Sequence, residues 1–253
     1  MSRVDTDTPC GDDAAPTEGR VARNRRRRTD AFLAAGLHIV TEEGIEALTM
    51  ARLAAELDTA PGAVYRYFAS KSDLMAAIEA NAIGQLQRSH DASVGPVTEE
   101  VLGSVPDPEA LVRLVTVGRW FCAAAQRYPE EVRLLQLVSA RRTSTLTADA
   151  AQDLAPTILL LVAAVSTAIE AATEAGAIAA GNGLVRAIMW LTAFGGVSVA
   201  DDLEQYVPDV LGGGRLARQL NIDLLVGWGA APEAVERIEA AIDVVAAGES
   251  LAR

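Results

Sequence analysis

The chain is 253 residues long, half of them hydrophobic, with a formal net charge of −12. That length allows one large core or two modest ones, and a composition rich in Ala and poor in aromatics favours helix over sheet. The N-terminus is acidic and polar with no apolar segment, which argues against a secretory signal. The longest apolar run, Leu154 to Ile169, is too short and too rich in Ser and Thr for a membrane span. A cytoplasmic protein with no membrane partner is expected, and its two cysteines, Cys10 and Cys122, fit free thiols in a reducing compartment.

The charge is unevenly spread. Residues 1–19 carry one Arg against five acids, residues 20–90 ten Lys and Arg against eight acids, and residues 91–253 eleven against twenty-one. A slightly basic head on an acidic body is the asymmetry expected if only the head meets phosphate. Residues 1–19 are polar, aperiodic and interrupted by Pro and Gly, the composition of a disordered tail. The run Arg23-Asn24-Arg25-Arg26-Arg27-Arg28 comes next. Such a run is usually just a solvated end; were a nucleic-acid-binding helix to follow, it would supply phosphate contacts or a minor-groove arm, with Arg27 and Arg28 as its contacts.

From Thr29 to Glu43 the positions Phe32, Leu33, Leu37 and Val40 follow helical spacing, and Gly44 supplies a stop. His38 falls on the polar side of this helix, as a surface residue. Thr49 is placed to cap a two-turn helix whose apolar face is Leu53, Ala54 and Leu57. Asp58-Thr59-Ala60 breaks it. Pro61 suits the first turn of a new helix, which Ala63 to Phe68 can continue, and Ser70-Lys71-Ser72-Asp73 reads as a capping box that opens a third.

A second helix this short buries little, which suits an element held out to enter a major groove. Thr49, Tyr65, Tyr67 and Lys71 offer phosphate-contacting groups, Arg52 stands among them, and Pro61, Gly62 and Ala63 keep the helix start free of bulk. Spacing alone leaves open a plain helical hairpin with solvated polar residues. The stretch nevertheless resembles the DNA-binding domain of TetR-family transcriptional repressors, through Thr49, Leu53-Ala54, Tyr65, Tyr67-Phe68, Ser70-Lys71 and Leu74. It departs from the family pattern at Asp58 in place of the turn glycine, Thr59 in place of Val, and Ala60 in place of a Ser/Thr cap; Ala51 stands where some members carry a base-reading Arg. Asp tolerates the left-handed conformation such a turn requires.

After Leu74 the helical pattern continues to about His90 and is expected to end near Gly95-Pro96. The remainder parses as helices over about 107–127, 129–142, a long apolar one from about 147 or 155 to 175 with its start blurred by Pro156, 183–203, 214–228 and 232–247. No segment alternates like a strand. The fold class expected is all-α: a tail over 1–19, a helix-turn-helix DNA-binding domain over 20–75, and a helical effector-binding and dimerisation domain over 76–253.

For the body, the resemblance implies a ligand cavity and a dimer. Trp120, Phe121, Tyr128, Met189, Trp190 and Phe194 put bulky side chains on the helices that the family wraps around a small-molecule effector, although each taken singly reads as ordinary core. Family members dimerise through a four-helix bundle of late helices. That implicates Leu184–Leu203 and Leu216–Trp228, with Gly195, Gly196, Val199, Leu220 and Leu224 at the interface, because glycine inside a helix costs about 1 kcal/mol unless a close neighbour offsets it.

No catalytic constellation is found. The two histidines lie in unrelated helices, Cys122 lacks a basic partner, and Gly212-Gly213-Gly214 follows no strand. No cofactor, metal site or enzymatic activity is expected. The reading is a repressor that binds a pseudo-palindromic double-stranded DNA operator as a homodimer and is released by a small apolar or amphipathic effector. The alternative is a helical protein-binding adaptor, or an activator, without a small-molecule effector.

Overall fold

A computed structural model describes residues 19–145, 162–200 and 215–251. Within them the chain is helical throughout, without a strand: α1 Arg20–Glu43, α2 Met50–Glu56, α3 Pro61–Tyr65, α4 Lys71–Leu102, α5 Glu109–Arg127, α6 Pro129–Thr145, α7 over 162–174, α8 Gly183–Ala200, α9 Arg215–Gly227 and α10 Pro232–Leu251. The tail with Cys10, the start of the long apolar helix around Pro156, and the segment with Leu203 and Gly212-Gly213-Gly214 lie outside the described residues. No helix among the described residues is long and apolar enough to cross a membrane.

The chain forms two apolar cores. The first gathers Phe32, Leu37 and Val40 of α1, Leu53 of α2, Val64 of α3, and Leu74 and Ile78 of α4. Gly36 lets Ile78 pack close, since a Cβ there would lie 2.6 Å from Cδ1 of Ile78 and displace that side chain. The second core lies in the body, where Val94 and Val101 of α4, Val115 and Trp120 of α5, Ile169 of α7, Trp190 of α8, Leu225 of α9 and Ile238 of α10 pack together. Gly118 plays the same part here: a Cβ would collide with the Asn221 side chain, so its absence lets α5 and α9 close.

Three boundaries differ from the sequence expectation. Helix α1 begins at Arg20, not Thr29, so the arginine run is itself helical. Arg is a good helix former, and nothing between Arg20 and Thr29 breaks the pattern. Helix α3 stops at Tyr65, and Tyr67 and Phe68 follow in a turn whose N–H groups both donate to the Val64 carbonyl. Helix α4 runs through Gly95 and Pro96 to Leu102. Pro96 lacks the N–H that would bond four residues back, but buried Val94, Thr98 and Val101 hold the segment in the body core, and the Thr98 hydroxyl donates to the Val94 carbonyl at 2.6 Å.

The turn between α2 and α3 adopts the conformation the substituted residue had to accept. Asp58 has φ 52°, the one positive value among described non-glycine residues. The left-handed region costs most residues about 1–2 kcal/mol and β-branched ones more. Asp58→Val should therefore lower head stability by about 2 kcal/mol, whereas Asp58→Gly should leave it unchanged or slightly raised, as read from thermal unfolding followed by circular dichroism.

Candidate nucleic-acid interface and body cavity

Helix α2 starts where Thr49 accepts a hydrogen bond from the Arg52 N–H at 2.9 Å, which leaves the Thr49 hydroxyl proton free to donate outward from an exposed position. Helix α3 has no side-chain cap at Ala60 and begins at Pro61. Its one buried residue is Val64, with no exposure, while Pro61, Gly62 and Tyr65 face solvent and Tyr65 is 55 % exposed. The short helix thus has a gripped inner side and an open outer side, the arrangement of a groove-entering element.

The arginine run braces this element. Arg28 donates through Nη2 to the Thr59 hydroxyl at 3.0 Å, in the turn that leads into α3. Arg25 lies over the Tyr67 ring at 5.6 Å, and Tyr67 tilts against Phe32 with ring centres 5.2 Å apart. Tyr67 is therefore a packing residue with one face under a cation. Arg27 is exposed on the same helix. The parts played by Arg25 and Thr59 were missed in the sequence; the three-residue spacing of Arg25 and Arg28, which puts them on one helical face, was the available signal.

Two cations named from sequence are already held within the head. Arg52 contacts Glu43 through Nη2 at 2.5 Å and Glu56 through Nη1 at 2.7 Å, so it ties the end of α1 to α2. These hydrogen bonds hold the Glu43 carboxyl below its usual range. Lys71 donates to the Ile45 carbonyl at 3.1 Å and to that of Glu46 at 3.5 Å, which fastens the start of α4 to the loop after α1.

In the body, four of the six aromatic and Met positions meet. Phe121 packs edge-on against Trp120 at 4.8 Å and Trp190 at 5.1 Å, and Trp190 against Phe194 at 5.1 Å. Trp190 is 1 % exposed and its Nε1 donates to Asn221 at 3.3 Å, so this cluster is close-packed core. Met189 is not part of it, being half exposed on the outer side of α8. The open space lies on the other side of Trp120, where a cavity of about 210 Å³ is bounded by α4, α5 and α10. Of the six residues, Trp120 and Tyr128 line it, together with Ser89, Ser93, Arg127 and Ile242. Cys122 is free and buried, and burial pushes its thiol up to about 12, which leaves it inert as a nucleophile.

The outer face of α8 is apolar and uncovered. Leu184, Val185, Ile188 and Met189 are each about half exposed, and the Cβ positions of Gly195 and Gly196 meet nothing within 4 Å. Leu220 and Leu224 of α9 are half-buried against the body core of their own chain. The side chain of Val199 lies outside the described residues.

His38 has a partner that its sequence position concealed. Its Nδ1 lies 2.9 Å from Oε1 of Glu130, 92 residues away, so the pair joins α1 to α6. The hydrogen bond to Glu130 is the main reason its pKa is raised above 6.5, with partial burial opposing it. A raised folded-state pKa means the imidazolium's stabilising contribution is complete below about pH 6.5 and is lost as pH climbs through the raised value. Histidine titration by NMR should place His38 above its ordinary value, and Glu130→Gln should return it there.

Residues 32–78 match the family model of bacterial regulatory proteins of the tetR family. Among curated proteins, none matches the chain. Among solved structures, the chain is similar to a bacterial regulatory protein in the tetR family from Rhodococcus RHA1, with 20 % identity, TM-score 0.57, and 80 % of this chain against 97 % of that one covered. It is also similar to a transcriptional regulator from Saccharomonospora viridis in complex with choline, at 14 % identity, TM-score 0.61 and coverage of 79 % and 96 %. A third is the regulator FadR from Bacillus subtilis in complex with stearoyl-CoA, at 14 % identity, TM-score 0.60 and coverage of 78 % and 98 %. These likenesses carry the fold across head and body alike, and the family match falls on the head, residues 32–78, where α3 stands outward on a braced three-helix core.

Proposed function

We propose that the protein is a ligand-responsive repressor that binds a pseudo-palindromic operator as a homodimer. The observation that carries this reading is α3, five residues long, held from behind by Val64 and open to solvent along Pro61, Gly62 and Tyr65. In this reading residues 20–75 are the DNA-binding head and 76–253 the effector-binding and dimerising body. Pro61, Gly62, Ala63 and Tyr65 approach bases and adjoining phosphates, and Thr49, Arg27 and the remaining donor capacity of Lys71 contact phosphate. Arg28, Arg52 and Tyr67 act mainly by holding that surface in place.

A single five-residue helix makes too few contacts for specific binding, so two heads are needed. The exposed stripe Leu184, Val185, Ile188, Met189 on α8, continued by the open Gly195 and Gly196, is the surface on which a second copy would seat. An effector would enter the cavity between α4, α5 and α10. Two structural relatives hold small molecules, choline in one and stearoyl-CoA in the other, which supports a liganded body here. At about 210 Å³ the cavity is below the range of drug-sized sites, so a compact effector is the one that fits. A coupling of about 1–3 kcal/mol between cavity and heads would change operator affinity roughly 5–150-fold.

Selection of bound fragments from random DNA should return two half-sites related by a dyad and separated by about one helical turn. Ile188→Glu should give a monomer by light scattering at micromolar concentration, and its affinity for the selected operator should fall by about tenfold or more, the loss of one head's contacts. A variant that stays dimeric would remove α8 from the interface, and asymmetric selected sites would remove the dyad.

A further inference from the structure

We infer that the body cavity is built for a small amphipathic carboxylate, with its head group at the Arg127–Tyr128 end and its apolar part along Trp120, Val97 and Ile242. The inference rests on the effector reading above and narrows it to one chemical class. Two arginines and no acid line the cavity.

The two arginines differ in what already neutralises them. Arg119 is matched within the protein, with Nη2 at 2.6 Å from Asp243 and Nε at 3.4 Å from Glu239. Among the described residues no carboxylate forms an ion pair with Arg127, which stands in the last turn of α5. The nearby Glu130 is engaged by His38 at 2.9 Å. One positive charge in the cavity lining is therefore available to an anion, and it would repel a quaternary ammonium placed beside it.

The polar groups around Arg127 are suited to receive such an anion. The Ser89 hydroxyl accepts from Trp120 Nε1 at 3.2 Å, so its own proton points onward. Ser89 and Arg127 flank the phenol of Tyr128 and lower its pKa, outweighing the opposing burial and the charge of Glu131. Ser93 lies one turn further along the same face of α4. Donors from two helices thus converge at one end of the cavity, while Val94, Val97 and Ile242 make its wall apolar. A carboxylate can accept from several donors at once, and a neutral alcohol of the same length cannot replace those charge-assisted bonds.

The test uses the full-length protein and four probes in isothermal titration calorimetry: octanoate, phenylacetate, 1-octanol and octyltrimethylammonium. Octanoate and phenylacetate should bind, octanoate about tenfold or more tighter than 1-octanol, and the ammonium weakest. Arg127→Gln should bring octanoate down to the level of 1-octanol, and Arg127→Lys should restore most of the difference. Ala123→Leu, which fills the cavity from α5, should weaken every probe that binds, regardless of charge. Equal or tighter binding of 1-octanol or the ammonium, octanoate affinity unmoved by Arg127→Gln, or no heat from either carboxylate at millimolar concentration would each overturn the assignment. Operator binding with and without octanoate separates this from the effector reading: binding that depends on Arg127 but leaves the operator occupied upholds the carboxylate site and sinks the switch. Release by 1-octanol in preference to octanoate does the reverse.

Discussion

A helix of five residues cannot keep its own shape, because nucleating a turn fixes several dihedral angles for one hydrogen bond. The reading helix Pro61–Tyr65 is in that position, so the rest of the head is arranged to grip it. Val64 anchors it in a core shared by α1, α2 and α4. The turn before it is shaped by Asp58 and closed by a hydrogen bond from the Thr59 N–H to the Ala54 carbonyl at 2.9 Å. Arg28 reaches Thr59 from outside, and Tyr67, immediately after the helix, is wedged between Phe32 and Arg25. Each of these contacts fixes the angle at which α3 leaves the protein surface.

The head is joined to the body by two helices that each belong to both cores. Helix α4 gives Leu74 and Ile78 to the head and Val94 and Val101 to the body without a break in between. Helix α6 gives Leu134 and Val138 to the head while Val132 and Leu135 pack on the body, and its Gln136 donates to the Gly195 carbonyl of α8 at 3.3 Å. His38 and Glu130 also join α1 to the start of α6, as an exposed pair across the head–body boundary.

The helix-turn-helix was readable because its determinants are local. A cap at Thr49, a proline at Pro61, a capping residue at Ser70 and an apolar period all lie within a few residues of what they specify. Pro96 misled for the same reason: its local preference is to end a helix, and long-range burial of Val94 and Val101 overrode it. The body's sites were less legible because they depend on which helices touch. Trp120 borders the cavity whereas Trp190, equally bulky and apolar, is sealed behind it, and nothing in their flanking residues separates the two. Met189 beside Trp190 shows the helical geometry at work, since adjacent residues point about 100° apart and one is core while the other is surface. The link between His38 and Glu130 crosses 92 positions and has no sequence signature at all.

Beneath the cavity lies a group of charges around one buried carboxylate that connects it to the late helices. Glu239 of α10 is 2 % exposed, and Arg218 of α9 sits 2.9 Å from its Oε2 as an ion pair, with Arg119 of α5 on the same oxygen at 3.4 Å. Burial pushes the Glu239 carboxyl up, and the two arginines pull it back. Asp243 then binds both guanidinium groups, at 2.6 Å and 2.8 Å. Removing Arg119 or Arg218 leaves the buried Glu239 carboxylate with less compensation. Arg119 is therefore poorly placed to give itself up to a ligand, even though it lines the cavity. Its role follows from what it holds: α5, α9 and α10 meet at this cluster. The opposite side of Trp120, packed on Phe121 and through it on Trp190, offers a second route into α8. The cavity wall is thus packed, through Trp120 and Arg119, against both α8 and α9.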